Sequence, residues 1–208
     1  MIQIQNFNYE IQHKKLFKLV NTTFESQKIH TIYGDNGIGK TTFFQILSGM
    51  IRTYKGQIYI QNQDIKTLNA LQLSDLISIC YASQPQSDIF VHEVFSFSQI
   101  TENERNEIAK LFGIMDFMDR NIQALSEGER QWIFLARAMA RKASILLLDE
   151  PTAFLDLSKR KKLKEILINA SQSRTILINT HDEDLSKISN NIIWNIDNQN
   201  FNQVKNLN

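Results

Sequence analysis

The chain has 208 residues, 42% hydrophobic and 22% charged, with a formal net charge of +1 and a single cysteine. This length accommodates one sizeable core with a small appended subdomain, and the composition is ordinary for a globular protein. The near-zero charge excludes a global attraction to DNA, RNA or acidic lipid. The lone Cys80 excludes an internal disulfide, and no apolar run approaches the length of a bilayer span.

In chain order, residues 1–6 alternate like a strand and lack a signal peptide's basic start and apolar centre, which predicts no cleaved leader. Strands are predicted over 2–7, 19–24 and 28–33. The last of these runs into Gly34-Asp35-Asn36-Gly37-Ile38-Gly39-Lys40-Thr41, which spells G-x-x-x-x-G-K-[ST], and a helix is predicted over 41–47. Glycines let consecutive N–H groups converge on an anion, and the helix start behind them adds positive potential. Lys40 is then placed to reach the β- and γ-phosphates of a nucleotide, and the Thr41 hydroxyl to complete a Mg²⁺ shell.

Gly56 opens a short strand ending at residue 60, and Cys80 lies in the apolar stretch 77–81, which predicts a small buried core residue. From 89 to 120 the pattern is helical. Thr101 and Glu104 form a capping box there, with Ile108, Leu111 and Phe112 following at helical spacing. Beyond 125, helices over 131–141 and 157–170 alternate with strands over 144–148 and 175–179. Such alternation predicts a parallel sheet flanked by helices, with a helical insertion in the middle. With two prolines and seven glycines, the chain shows no flexible linker of that composition and no internal repeat.

Ile145-Leu146-Leu147-Leu148-Asp149-Glu150 is an apolar strand closed by two carboxylates. Parallel strands buried on both faces read as unbroken apolar runs, and ligands sit at their carboxyl ends. Asp149 is suited to hold Mg²⁺ through water, and Glu150 to accept a proton from an attacking water. A solvated strand end is the plain alternative, and the phosphate loop upstream argues against it.

From about Tyr9 to His181 the chain resembles the nucleotide-binding subunits of ATP-binding cassette (ABC) transporters. Leu125-Ser126-Glu127-Gly128-Glu129-Arg130-Gln131 resembles the family's LSGGQ signature before a helix. Gln84 in Ala82-Ser83-Gln84-Pro85, Leu155-Asp156 and His181 in Asn179-Thr180-His181-Asp182 follow the family's order. The resemblance implies a P-loop NTPase core of the α/β class, mostly parallel sheet flanked by helices, with an N-terminal antiparallel β subdomain and a compact helical insertion. It implies one domain over 1–208: β subdomain and core to 83, helical subdomain from about 84 to 125, core continued over 126–197, and a polar, poorly ordered tail over 198–208.

The resemblance also implies roles. Asn36, Gly37, Ile38, Gly39, Lys40, Thr41 and Thr42 resemble the phosphate cradle, which Gly34 and Asp35 open. Tyr9 resembles the aromatic that stacks on adenine, with a plain strand aromatic as the rival reading. Gln84 resembles the residue linking Mg²⁺ and water to the helical subdomain, alongside Thr41 and Asp149 at the metal. Ser126 and Gly128 match positions that bind the γ-phosphate from an opposite protomer, and Asp156 matches a loop that couples two sites across a dimer. His181 resembles the switch histidine at the γ-phosphate, completing a catalytic set with Glu150, Lys40 and Gln84. His13, His30 and His92 have no such context and are assigned no chemistry.

Three departures stand out. Glu127 replaces the first signature glycine, bringing a carboxylate near a triphosphate, and Glu129 replaces the signature glutamine. Ser126-x-x-Glu129 is also a capping box, so both side chains can serve their own helix. Asp35 stands where the family usually has proline. Lys159, Arg160, Lys161, Lys162 and Lys164 form a basic run, read first as the solvated side of a helix and second as a lipid-headgroup or partner contact.

The expectation is therefore an ATP- and Mg²⁺-using ATPase subunit. It sandwiches two ATP molecules with a second copy of itself and drives transmembrane permease subunits, at the cytoplasmic face of the inner membrane. The compact insertion resembles small bacterial cassettes, including haem-exporter and lipoprotein- or peptide-export types, and leans the expectation towards export. The alternative is a soluble ABC-type ATPase acting on nucleic acid or ribosomes. Tandem cassettes, long coiled coils and strongly basic surfaces, the usual marks of that class, are not in the sequence, so no nucleic-acid partner is expected. A binding module with a dead site is a third class, and Lys40, Asp149, Glu150 and His181 argue against it.

Overall fold

The computed structural model describes residues 1–96, 100–188 and 191–204. Two sheets face each other across one helix. The first is antiparallel, with β1 (Ile2–Ile11), β2 (Lys14–Phe24), β4 (Lys55–Ile60) and β5 (Gln63–Asp64) in the order β2-β1-β4-β5. The second is six-stranded. It is built from β3 (Ile29–Tyr33), β6 (Ile77–Cys80), β7 (Ile145–Asp149), β8 (Thr175–Asn179), β9 (Asn191–Asp197) and β10 (Asn200–Val204) in the order β10-β9-β3-β8-β7-β6. All its neighbours are parallel except the antiparallel pair β9 and β10. The α/β class, parallel core and antiparallel β unit expected from the sequence are all present.

β7 and β8 are buried along their whole length, the signature of parallel strands covered on both faces. Their side chains alternate between two cores. Leu146, Leu148, Ile176 and Ile178 join Trp132, Ile133 and Leu163 on one side, while Ile145, Leu147 and Leu177 join Phe43, Phe44 and the antiparallel sheet on the other. Helix α1 (Lys40–Leu47) is clamped between the sheets, with Phe43, Phe44, Ile46 and Leu47 fully buried. Each such side chain contributes about 1.5–3 kcal/mol by leaving water.

The far core contains α3 (Val91–Ser96), α4 (Glu102–Phe112), α5 (Glu127–Ala140) and α6 (Leu157–Ala170). The helical pattern over 89–120 is thus divided. Thr101 caps α4 through the expected box, and Gly113, at φ 68°, ends it in the left-handed conformation. Residues 97–99 lie outside the described set. Helix α5 begins four residues before the predicted 131, because the Ser126 box caps it at that point. Helices α2 (Ala70–Leu76) and α7 (Glu183–Ser186) were not predicted, each being barely two turns or less.

The tail differs from expectation. Residues 200–204 form β10, joined to β9 by a turn at Asn198 and Gln199 with φ of 48° and 65°. A single apolar residue anchors the strand: the Phe201 ring stacks on Phe17 at 5.6 Å and packs against Phe43 at 4.8 Å. One buried phenylalanine, three residues before a half-buried valine, leaves no period-two pattern to read. Residues 205–208 lie outside the described set.

Candidate functional site

The loop between β3 and α1 is shaped by three glycines with positive φ: Gly34 at 147°, Gly37 at 74° and Gly39 at 115°. Gly39 is also the N-cap of α1 with no side-chain cap, so the first N–H groups of a buried helix point at the loop unopposed by a side chain. From β2, Leu16 and Phe17 pack beneath Gly39, where an added Cβ would meet the Phe17 ring at 3.2 Å. Lys14 Nζ donates to the Gly37 carbonyl at 3.2 Å.

Lys40 is nearly buried, and its ammonium donates to the carbonyls of Gly34 (2.6 Å) and Asp35 (3.1 Å). Burial lowers its pKa, opposed by the negative charges of Glu150, Asp149 and Asp35. An arriving phosphate offers this ammonium stronger, charged acceptors than those carbonyls.

Parallel register brings the acidic strand end to the loop. Thr41 Oγ1 donates to Asp149 Oδ2 at 2.8 Å, and the Asn179 amide, opposite Asp149 in register, donates to Oδ1. Burial raises the Asp149 carboxyl above its usual range, and the bonds from Thr41 and Asn179 pull it back down. Asn179 Oδ1 is itself buried without a partner. Among the described residues there is no group of three His, Cys, Asp or Glu able to cage a metal. What the site offers is one hydroxyl and one carboxylate. That set fits Mg²⁺ arriving with a nucleotide, because this ion keeps waters and takes its remaining oxygens from phosphates.

Glu150 follows at φ 46°, left-handed for a non-glycine, held by its N–H bonding Asn179 O at 2.7 Å. Its carboxylate accepts the His181 backbone N–H at 3.3 Å and lies 3.5 Å from His181 Nε2. His181 Nε2 also lies 3.2 Å from Asn36 Oδ1 in the phosphate loop. Three sequence segments thus meet: the loop (Asn36, Lys40, Thr41), the acidic strand end (Asp149, Glu150) and the stretch that carries Asn179 and His181. Of the residues the sequence named, Thr42 sits one position further along α1, and Asp35 and Ile38 close the loop through the Ile38 N–H to Asp35 carbonyl bond at 3.3 Å.

Other predicted residues sit elsewhere. The Gln84 amide donates to Cys80 Sγ (3.2 Å), to Tyr81 O and to Gln131 Oε1 (3.2 Å), so its contacts are with β6 and α5 rather than with Thr41 or Asp149. Cys80 is buried as expected, its thiol pushed up to about 12 by desolvation. Ser126 and Glu129 form a reciprocal capping box on α5. Gly128 has no room for a side chain, since a Cβ would meet the Phe154 carbonyl at 2.4 Å. Asp156 caps α6 by accepting the Lys159 N–H at 2.9 Å.

Tyr9 lies on β1 opposite Phe17, 7% exposed, beside a cavity lined also by Thr53, Tyr54 and Lys55 and by no phosphate-loop residue. Of the basic run, Arg160 and Lys161 are exposed and Lys159, Lys162 and Lys164 half-buried, while Leu163, Ile166 and Leu167 form the buried face of the helix.

Sequence reasoning missed Asn179 as a site residue, although a polar residue closing an apolar strand was its signal. It also missed Lys14 and Phe17, whose approach to the loop is set by sheet packing and leaves no local trace.

The family described as ABC transporter matches residues 17–153. A putative ABC transporter ATP-binding protein of Clostridium tetani is 32% identical over 198 residues, covering 89% of this chain and 45% of that protein. The iron(3+)-hydroxamate import ATP-binding protein FhuC of Bacillus subtilis is 31% identical over 178 residues, covering 78% of this chain and 66% of that protein. The chain thus spans less than two thirds of either relative. The solved structure of cbiO1 from Clostridium perfringens, part of the cbiONQ transporter complex, superposes with a TM-score of 0.81 at 22% identity, covering 97% of this chain and 86% of that one. At that identity the likeness concerns the fold.

Proposed function

Because the chain belongs to the ABC transporter family, we propose that it is the ATP-hydrolysing subunit of a membrane transporter, acting as a pair of copies around two ATP molecules. The observation that carries this reading is the convergence of Asn36, Glu150 and His181 beside Lys40, Thr41 and Asp149.

In this reading the loop N–H groups and the α1 terminus hold the β- and γ-phosphates, and Lys40 turns from the Gly34 and Asp35 carbonyls onto phosphate oxygen. Glu150, its carboxylate against His181, orients the attacking water and accepts its proton. His181 turns its Nε2 from Asn36 and Glu150 to donate to the developing charge on the γ-phosphate, while its backbone N–H bond to Glu150 keeps the residue beside the site. Thr41 and Asp149 hold Mg²⁺, which when bound supplies charge neutralisation at the phosphate oxygens. Gln84 would join these ligands by exchanging its Gln131 and Tyr81 contacts, which would couple the site to α5.

Ser126 and Gly128 of the second copy complete the pocket. Asp156 reaches across the same interface. Tyr9 remains the proposed adenine neighbour only if β1 shifts its ring outwards. The domain divisions at 83, 125 and 197 follow the same reading.

Among the described residues no helix is long and apolar enough to cross a membrane. Attachment to the cytoplasmic face through permease subunits follows from the family assignment. The lean towards export rests on the compact insertion alone, while the named relative FhuC is an import protein; the proposal is therefore transport without a stated direction.

Replacing Glu150 with Gln tests the reading. Hydrolysis is expected to fall by about 10²–10⁴-fold, and ATP-bound dimer to accumulate on size exclusion. Turnover near the parent rate would sink it.

A further inference from the structure

A cavity of about 320 Å³ lies away from the phosphate loop, between the residues after α1, helix α2, strand β6 and the end of α5. Three guanidinium groups, those of Arg52, Arg137 and Arg141, line it, and no carboxylate does. None of the three has an Asp or Glu within ion-pair distance among the described residues.

Two of these arginines are fixed by a single carbonyl each. Arg52 Nη1 donates to Leu68 O and Arg141 Nη2 to Ser74 O, both at 2.7 Å. Each has five N–H donors, so most remain to be used. Arg52 also packs over Gly49, where a Cβ would lie 3.2 Å from its guanidinium. Arg137 is the unusual one: its Nε is buried with no hydrogen-bond partner. Burial lowers its pKa, and the neighbouring Arg141 charge lowers it further.

The Arg137 guanidinium lies over the Phe134 ring at 6.0 Å, a contact that offsets only part of the cost of a half-buried cation beside a like charge. In a chain whose net charge is +1, three arginines around one hollow, Arg137 and Arg141 half-buried and Arg52 exposed, are not a general basic surface. Planar forks converging without an internal counter-ion match carboxylate or phosphate geometry.

We propose that this cavity is an oxyanion-binding site, in which Arg52, Arg137 and Arg141 take a carboxylate or phosphate group. The group comes either from a free small anion or from an acidic side chain on a partner polypeptide. The site is separate from the nucleotide pocket and does not depend on the ATPase reading.

The test follows the arginine Nε–H signals of the ¹⁵N-labelled full chain in chloride buffer, titrated with inorganic phosphate or with a hexaglutamate peptide. A saturable shift of the Arg137 signal with either probe is expected. Arg137→Met should weaken the shifts at Arg52 and Arg141 by about tenfold or more, while melting no lower than the parent in chloride because a repelled charge is gone. Arg137→Lys, which keeps charge and loses the fork, covers the case where the first variant fails to fold, and it is expected to weaken binding similarly. A shift with phosphate alone assigns a free anion, and one with peptide alone assigns a partner's acidic side chain. Absence of a saturable shift with both probes, or parent-like binding by the variants, overturns the site.

Discussion

Glu150 adopts a left-handed backbone at φ 46° directly after a fully buried strand. A non-glycine residue there costs roughly 1–3 kcal/mol and persists only where surroundings over-determine it. The Glu150 N–H bond to Asn179 O and the His181 N–H bond to its carboxylate supply that constraint. Glu127 is the residue with the opposite character. It is exposed at the start of α5, beside a hollow it shares with Gln84 and Phe154. No hydrogen bond of the capping box depends on it. In the proposed pair of copies its carboxylate approaches a triphosphate and repels it. Glu127→Gly is expected to raise ATPase activity by about threefold to tenfold, equivalent to roughly 1 kcal/mol, in a concentration-dependent assay. An unchanged or lower rate would count against binding of ATP by this segment.

Helix α5 shows how one element serves both stability and the site. Its capping box satisfies N–H groups at its own terminus, as Ser126 Oγ accepts from the Glu129 N–H and Glu129 accepts from the Ser126 N–H at 2.8 Å. The same side chains therefore stabilise the helix before any nucleotide is present. Gly128, the second residue of the helix, is needed for a different reason: the Phe154 carbonyl occupies the space a Cβ would take. Alanine has the higher helix propensity by about 1 kcal/mol. The obstruction is backbone, however, in a loop held by the Asp156 cap of α6, so relief requires that loop to move. Gly128→Ala is expected to destabilise by about 1–3 kcal/mol in urea unfolding, with the effect on nucleotide turnover larger than the stability loss explains. A stabilised variant would show that the Phe154 loop yields freely.

On the scale of the whole molecule, the two sheets meet at His30. It is fully buried on β3, edge-on to Phe24 of the antiparallel sheet at 5.3 Å. Trp194 Nε1 donates to its Nδ1 at 3.0 Å, and its Nε2 donates to Glu25 O at 2.9 Å. Both nitrogens are committed to the neutral ring, and burial lowers the pKa to about 4 from 6.5. Between those values the unfolded chain binds the proton and the folded one does not, so stability falls as pH drops from about 6.5 to about 4 and levels off below. The shift corresponds to roughly 3 kcal/mol. Asp149, with its raised carboxyl, acts in the opposite sense at low pH. The His30 share is therefore read by comparison. Urea midpoints of the parent should fall over this range, while His30→Gln, less stable overall, should show a flatter profile. Parallel profiles would refute the assignment.

Residue order alone made much of this protein legible. The Gly34 to Thr41 octet, the apolar runs of β7 and β8, the box at Thr101 and the span of α6 all rest on contacts within a few residues, which leave a local pattern. So the α/β class, the parallel core and the phosphate loop were readable. What lay beyond were contacts made by distant segments. The β9–β10 hairpin is held by Phe201 against Phe17 and Phe43, and His30 was passed over because its partners, Trp194 and Phe24, are on other strands. Sheet register, not spacing along the chain, joined Asn179 to Asp149, and packing brought His181 to Asn36 and Glu150. Sequence determined which chemical groups this protein carries and which elements bear them. Tertiary structure decided which groups touch, because burial and strand pairing act between residues 30 to 164 positions apart.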